Sequence, residues 1–225
     1  MFGALQEDGW LDAGILPAVH AIHSEWIPFE GSNAMTSARL ETFSDGVIAI
    51  IITIMVLELG LPHGVDLDAL RPLVPIFLAY ALSFVNLGIY WNNHHHMFST
   101  VSAVSGRMLW ANLHLLFWLS LFPFMTGWMG ESDFASVPVA AYGLVSLMAA
   151  IAYFILQETI IASQGDDSPL AVAVGRDVKG KISPVLYVGG VVLANPLRWV
   201  ALGLYVIVAL MWFIPDRRIE GARPT

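Results

Sequence analysis

Past residue 35 the chain alternates between long apolar runs and short polar breaks. Six runs stand out, at roughly 38–59, 72–94, 107–129, 135–158, 178–195 and 197–215. Their lengths suit helices that cross a hydrocarbon core about 30 Å thick. The last two are parted by Asn195-Pro196, where proline ends an incoming helix and opens an outgoing one, so a tight hairpin is expected. No internal repeat is evident, which leaves an inverted-repeat transporter without support. The pattern predicts an all-α polytopic membrane protein with six transmembrane helices.

The first run differs from the rest. It opens with Arg39-Leu-Glu-Thr-Phe-Ser-Asp45 and continues as Gly46-Val-Ile-Ala-Ile-Ile-Ile-Thr-Ile-Met-Val-Leu57. The apolar part alone falls short of the roughly 20 residues a spanning helix needs, so the helix must draw its polar first turns toward the membrane. An ionised group at mid-bilayer costs about 2.5–3.5 kcal/mol on insertion scales and is expected to turn inward and pair. Arg39 and Asp45 stand six positions apart, a rotation of about 600°, so each looks to a different neighbour. That marks a helix with protein on several sides.

Composition fits this picture. The chain is 57% hydrophobic and 12% charged, with a mean hydropathy of +0.69, against about 25% charged in soluble domains. It has no cysteine, hence no disulfide framework and no thiolate metal site. A formal net charge of −8 argues against nucleic acid as a partner. With a cytoplasmic N-terminus, one side collects Arg39, Arg107, Arg176, Lys179, Lys181, Arg217, Arg218 and Arg223, and the other only Arg71 and Arg198. That asymmetry places both termini in the cytoplasm and the protein in the cell membrane, multi-pass.

Residues 1–34 hold Glu7, Asp8, Asp12, Glu25 and Glu30 with no Lys or Arg, so the basic opening of a signal peptide is missing. They are expected to form a poorly ordered or interfacial extension, the latter through Trp10, Ile15, Leu16 and Trp26. Residues 35–215 form the membrane domain and 216–225 a short cytoplasmic tail. The loop after Gln157 contains Gly175-x-x-x-x-Gly180-Lys181-Ile182, one residue short of a phosphate-binding loop, which needs Ser or Thr after the lysine and a preceding strand. A basic turn into the fifth helix is the expectation.

Three ordered motifs carry a family resemblance. Arg39-x-x-x-Phe43-Ser44-Asp45 resembles the R-x-x-x-F-S-D signature of the transmembrane protein 175 family of endosomal and lysosomal potassium channels. Trp91-x-x-His94-His95-x-x-Phe98 resembles the end of that family's second helix, and Asn112-Leu113 with Leu121-Phe122-Pro123-Phe124-x-Thr126 its third. The resemblance covers the first three helices by motif and the rest by hydropathy. It implies that bacterial members, with one six-helix unit, are homotetramers. It also implies a structural role for the signature, a pore closed by the isoleucine five positions after the signature Asp, and a threonine three positions further on.

On the residues themselves, the signature reads as buried polar groups tying helices together. A structural network of Arg39, Phe43, Ser44, Asp45, His94, His95, Asn112 and His114 is expected, several bonds being needed because each is worth only about 0.6–2 kcal/mol in a membrane. A metal site on His94, His95, His96 and His114 is disfavoured, since consecutive histidines point in different directions on a helix; neither metal nor cofactor is expected. Glu41 and Asp45 at i and i+4 could serve an intramembrane hydrolase, but no G-x-S-x-G elbow accompanies them, and no enzyme is expected.

Every third or fourth residue of the first run gives one face: Phe43, Gly46, Ile50, Thr53 and Leu57. Around a symmetry axis, Ile50 and Leu57 make hydrophobic constrictions, which gate by dewetting, and Thr53 a ring of hydroxyls. An ordinary core helix with a tolerated threonine fits the same residues, and the resemblance decides for the pore. The reading is a potassium-permeable leak channel, conducting K⁺ and open to other monovalent cations or protons, built as a homotetramer in the lipid bilayer. A secondary or proton-coupled transporter, and a non-conducting structural membrane protein, are the alternatives.

Overall fold

The computed structural model describes residues 36–101, 103–165, 167–175 and 178–213. The expectations for 1–34 and 216–225, and those resting on Arg176, Arg217, Arg218 and Arg223, lie outside these residues. Among the described residues every regular element is helical.

Helix α1 (Ser37–Met55) opens at Thr36, whose side chain accepts from the Arg39 backbone N–H, and runs into a 3₁₀ turn at Val56–Leu59. Gly60, at φ 65°, ends it in a conformation that suits glycine. After a second 3₁₀ segment, Leu67–Leu73, capped by Asp66, comes α2 (Val74–Phe98). The third apolar run is a helix pair, α3 (Gly106–Ser120) and α4 (Phe122–Glu131). Pro123 lies at the start of α4; lacking an N–H and crowding the carbonyl four residues back, it breaks the helix here.

Helix α5 (Ser136–Gln164) is the longest, at 29 residues, and packs on α3, α4 and α7. A short α6 (Pro169–Val174) leads to α7 (Val178–Leu193) and α8 (Arg198–Phe213). The last two pair as a hairpin through the Asn195-Pro196 turn, where the Leu197 N–H bonds the Leu193 carbonyl at 2.8 Å. Gly175 caps α6, while Gly180 and Lys181 lie inside the first turns of α7. The glycine-lysine stretch is therefore helical rather than a strand-to-helix loop.

Among the described residues four stretches are long and apolar enough to cross a membrane: Ser37–Leu59, Leu67–Phe98, Gly106–Glu131 and Ser136–Gln164. Helices α7 and α8 have 16 residues each, about 24 Å of rise. Burial of every backbone group within its own helix is what lets β-branched runs such as 50–54 persist in lipid.

Aromatic rings and small residues hold the bundle. Phe122, Tyr142, Tyr205 and Tyr187 form a line of rings with successive centroids 5.6, 5.9 and 5.9 Å apart. Gly143 and Gly190 flank Tyr205 so closely that a Cβ at either would collide with its ring or hydroxyl. Small residues permit this approach, as at other intramembrane interfaces.

Candidate pore helix and its polar anchor

Helix α1 has two faces. Leu40, Ser44, Ile48, Ile51 and Met55 are buried against α2, α3 and α4. The other side meets no partner among the described residues: Phe43, Ile50 and Leu57 are 51%, 59% and 75% exposed, against 1% for Ile48. Gly46 and Thr53 are exposed on the same side. The Thr53 hydroxyl donates to the Ile50 carbonyl at 2.9 Å. Its proton is thereby committed to the helix, and only lone pairs remain to face outward.

The signature face is anchored by a chain of buried side chains. Ser44 Oγ donates to the Leu40 carbonyl at 2.9 Å and accepts from Asn112 Nδ2 at 2.9 Å. Asn112 Oδ1 lies 2.8 Å from His94 Nε2, so α1, α2 and α3 meet at three fully buried polar groups. The His94 ring stacks on Phe98 with centroids 4.5 Å apart, and its Nδ1 is buried without a partner.

Two further pairs join α1 to α2. Trp91 Nε1 donates to Asp45 Oδ1 at 3.0 Å, and Glu41 Oε1 meets His95 Nδ1 at 2.5 Å. Asp45 thus turns to Trp91 rather than to a histidine or Asn112. His114 stays out of the anchor; its Nε2 accepts from Trp118 at 2.9 Å, one turn along α3. Arg39 and Phe43 are exposed and contribute no side-chain bond to it. Among the described residues no three His, Asp or Glu side chains are placed to hold a metal ion.

Sequence reasoning passed over two features. Trp91 carried a signal, since it opens the Trp91-x-x-His94-His95 motif one turn before the histidine that reaches Asn112. The second is a chain of polar side chains deeper in the bundle. Thr126 Oγ1 donates to Ser83 Oγ at 2.6 Å, and Ser83 Oγ to the Tyr142 hydroxyl at 3.2 Å, which also accepts from Asn86 Nδ2 at 3.1 Å. Ser83 and Asn86, three apart in the apolar first part of α2, were the available hint.

This geometry defines a class: an all-helical membrane protein in which α1 is polar-anchored on one face and, among the described residues, left open on the other. Comparison with known proteins agrees. The sequence model of the endosomal/lysosomal potassium channel TMEM175 family matches residues 39–123. A potassium channel from Chryseobacterium sp. (strain P1-3) is 55% identical over 186 residues, covering 83% of this chain and 97% of that one. The human endosomal/lysosomal proton channel TMEM175 is 31% identical over 116 residues, 44% of this chain and 23% of the human protein. A crystal structure of a lysosomal potassium-selective channel TMEM175 homologue from Chamaesiphon minutus superposes with a TM-score of 0.67. The two share 26% identity over 80% of this chain and 97% of that one. The chain belongs to the TMEM175 family of ion channels.

Proposed function

We propose that this protein is a potassium-permeable leak channel of the cell membrane, a homotetramer whose α1 helices surround a central pore. The observation that carries the proposal is the open face of α1. Phe43, Gly46, Ile50, Thr53 and Leu57 lie along it without a partner among the described residues, while the reverse face is fixed by Ser44, Asn112 and His94. One helix cannot enclose a pore, so copies must supply the rest. In the assembly Ile50 and Leu57 form aliphatic constrictions, and Thr53 turns oxygen lone pairs toward the axis, where they can replace part of a cation's water.

The names of the bacterial relatives support potassium as the permeant ion; the vertebrate relatives, named proton channels, support protons as a second. Residues 35–215 make six spans with both termini in the cytoplasm, residues 1–34 an N-terminal extension and 216–225 a tail. The short α7–α8 hairpin then crosses with its ends in the interfacial layers. Ion transport needs no cofactor and no catalytic residue.

The test is flux from liposomes containing the purified protein, with K⁺, Na⁺ and H⁺ compared. The expected result is K⁺ flux well above that of empty liposomes, with resolvable unitary currents. Saturating flux without unitary currents would instead make the protein a carrier. No flux at all would make it a structural membrane protein.

A further inference from the structure

Away from the α1 face, α2, α5, α7 and α8 enclose a partly open cavity of about 50 Å³, whose wall mixes amides and hydroxyls with aromatic rings. The polar groups of that wall are unequally satisfied. Ser183 Oγ of α7 accepts from Trp212 Nε1 of α8 at 2.8 Å and donates to the Lys179 carbonyl at 2.8 Å. Gln157 of α5 is only 5% exposed, yet its Nε2 has no hydrogen-bond partner among the described residues. Tyr187 of α7 is 3% exposed, and its hydroxyl bonds none of the described residues. Two donors on two helices therefore lack an acceptor at one cavity.

A buried donor without an acceptor is costly, so the occupant must present an oxygen. No Asp, Glu, Lys, Arg or His lines the cavity, and an ion buried there would go unpaired. The occupant is therefore neutral. Lys179 lies over the Trp212 ring, 5.9 Å from its centroid, which sets like charge against any cation entering past that ring. Volume limits the size: at about 10–15 Å³ for each water-sized group, about three to five non-hydrogen atoms fit. Anything larger must protrude. Phe154 is the most exposed lining residue, at 46%, and Ile155 beside it is exposed as well, so the way out leads onto the apolar surface of α5. The lining also lies toward the start of α7 and the end of α8, nearer one membrane surface than the middle.

We propose that this cavity binds the uncharged head of a single-chain amphiphile dissolved in the membrane, of the long-chain alcohol class. An alcohol oxygen has two lone pairs, one for each of the donors on Gln157 and Tyr187, and one proton to give. Asn93, whose side chain lines the same cavity and bonds none of the described residues, supplies an amide oxygen for that proton. The apolar tail leaves past Phe154 along α5. The inference goes beyond the channel reading and rests only on the chain spanning a membrane.

The probe is octanol carrying a photoreactive diazirine close to its hydroxyl. It is irradiated with the full-length protein in liposomes, and labelled residues are mapped by mass spectrometry for wild type and Gln157→Leu, each checked for native oligomeric size. Label is expected on cavity residues such as Phe154 and Tyr187, at least fivefold denser than on exposed apolar residues elsewhere, such as Leu144 and Val206. Excess plain octanol should remove the cavity label, octane should not, and octanoate should compete at least fivefold less well than octanol. Gln157→Leu deletes the unsatisfied donor and should lower the cavity label at least fivefold, with the label elsewhere unchanged. Label spread evenly over exposed apolar residues would overturn the proposal and leave the cavity to water. So would octane competing as well as octanol, which makes the cavity an apolar slot, or octanoate competing as well or better, which makes the head an anion. Undiminished cavity label in folded Gln157→Leu protein would overturn it too. If that variant does not fold, the three competitors decide the matter on the wild-type protein. No flux is measured, so failure of the channel reading would leave this result standing.

Discussion

Asn112 of α3 donates to Ser44 of α1 across 2.9 Å while its carbonyl oxygen faces His94 of α2 at 2.8 Å. One amide therefore satisfies two buried groups on two different helices, and it sits on the face of α1 opposite Ile50. Removing it leaves both Ser44 and His94 short of a partner. Asn112→Ala is expected to cost about 1–3 kcal/mol of stability, read as a lower thermal midpoint of the detergent-solubilised protein. His114→Ala, which loses a bond within α3 only, should cost less. An equal loss in the two variants would mean that Asn112 does not hold the helices together.

The Trp91–Asp45 bond is the second tie between α1 and α2. Trp91→Phe keeps an aromatic ring and deletes the donor, so it isolates the hydrogen bond. The expected loss is about 0.6–2 kcal/mol, with Asp45→Ala at least as damaging to yield. Arg39 behaves differently because its side chain is exposed. Arg39→Ala should leave the stability of the individual chain unchanged, and any loss of assembled protein then falls on contacts between copies. Chemical denaturation of the detergent-solubilised protein, compared with its oligomer size on a column, separates the two outcomes.

Much of this arrangement was legible in the residues and some was not. That the apolar runs are helices followed from hydropathy, because a bilayer forces long apolar runs into helices whatever their neighbours do; the break at Pro123, the extension of α5 to Gln164 and the short α6 did not. The Asn195-Pro196 hairpin was equally visible, because proline acts locally. The partners of the signature were only half legible. Opposed directions on the helix required different neighbours for Arg39 and Asp45, but choosing Trp91 over the adjacent histidines depends on the rotation of α2 against α1. Hydropathy carries no information about that rotation. His114 shows the same limit: a polar residue on an apolar helix reads as a network member, yet Trp118 one turn away satisfies it locally. The Thr126–Ser83–Tyr142 hydrogen-bonded chain joins residues up to 59 positions apart and leaves only scattered hydroxyls in the sequence.

Glycine positions separate close packing from open space. A Cβ at Gly130 would overlap the Ile76 backbone and lie 2.7 Å from its Cβ, so Gly130→Ala must push α4 from the start of α2. Overpacking of this kind costs about 1–3 kcal/mol, and the thermal midpoint should fall accordingly. Gly46 has nothing within 4 Å of the added carbon. Gly46→Ala should leave stability unchanged and alter flux alone, since it narrows the proposed axis. A stability loss at Gly46 as large as at Gly130 would place another element against that face.

The proposed orientation can be read with single cysteines, because the chain has none of its own. Asp68 and Glu131 are exposed at the end of the bundle where α1 finishes, and Asp167 is exposed at the opposite end. Cysteines at Asp68 and Glu131 should react with an impermeant thiol reagent from outside intact cells, and one at Asp167 only after permeabilisation. Ser168 would serve badly, being buried and engaged as the cap of α6. Reversed labelling overturns the orientation and the cytoplasmic placement of both termini.

The gate gives the sharpest test of the pore. Ile50 is 59% exposed and shares its face with Gly46, Thr53 and Leu57, while Ile48 on the reverse face is 1% exposed. An aliphatic ring excludes water because it offers nothing in exchange for the hydrogen bonds that water gives up, and a cation must shed hydration as well. Ile50→Asn supplies donors and acceptors at the constriction without disturbing the Ser44–Asn112 side. It should raise K⁺ flux about tenfold, a barrier lowered by about 1.4 kcal/mol, with stability close to wild type. Thr53→Val removes the outward-facing oxygen while keeping the shape, and should lower flux or weaken K⁺ preference over Na⁺. Ile48→Asn is the control: it buries an unpaired amide in the helix interface and should lose about 1–3 kcal/mol without opening anything. If folded Ile50→Asn protein conducts no better than wild type, the open face of α1 packs on lipid or on another subunit, and the conduction path lies elsewhere.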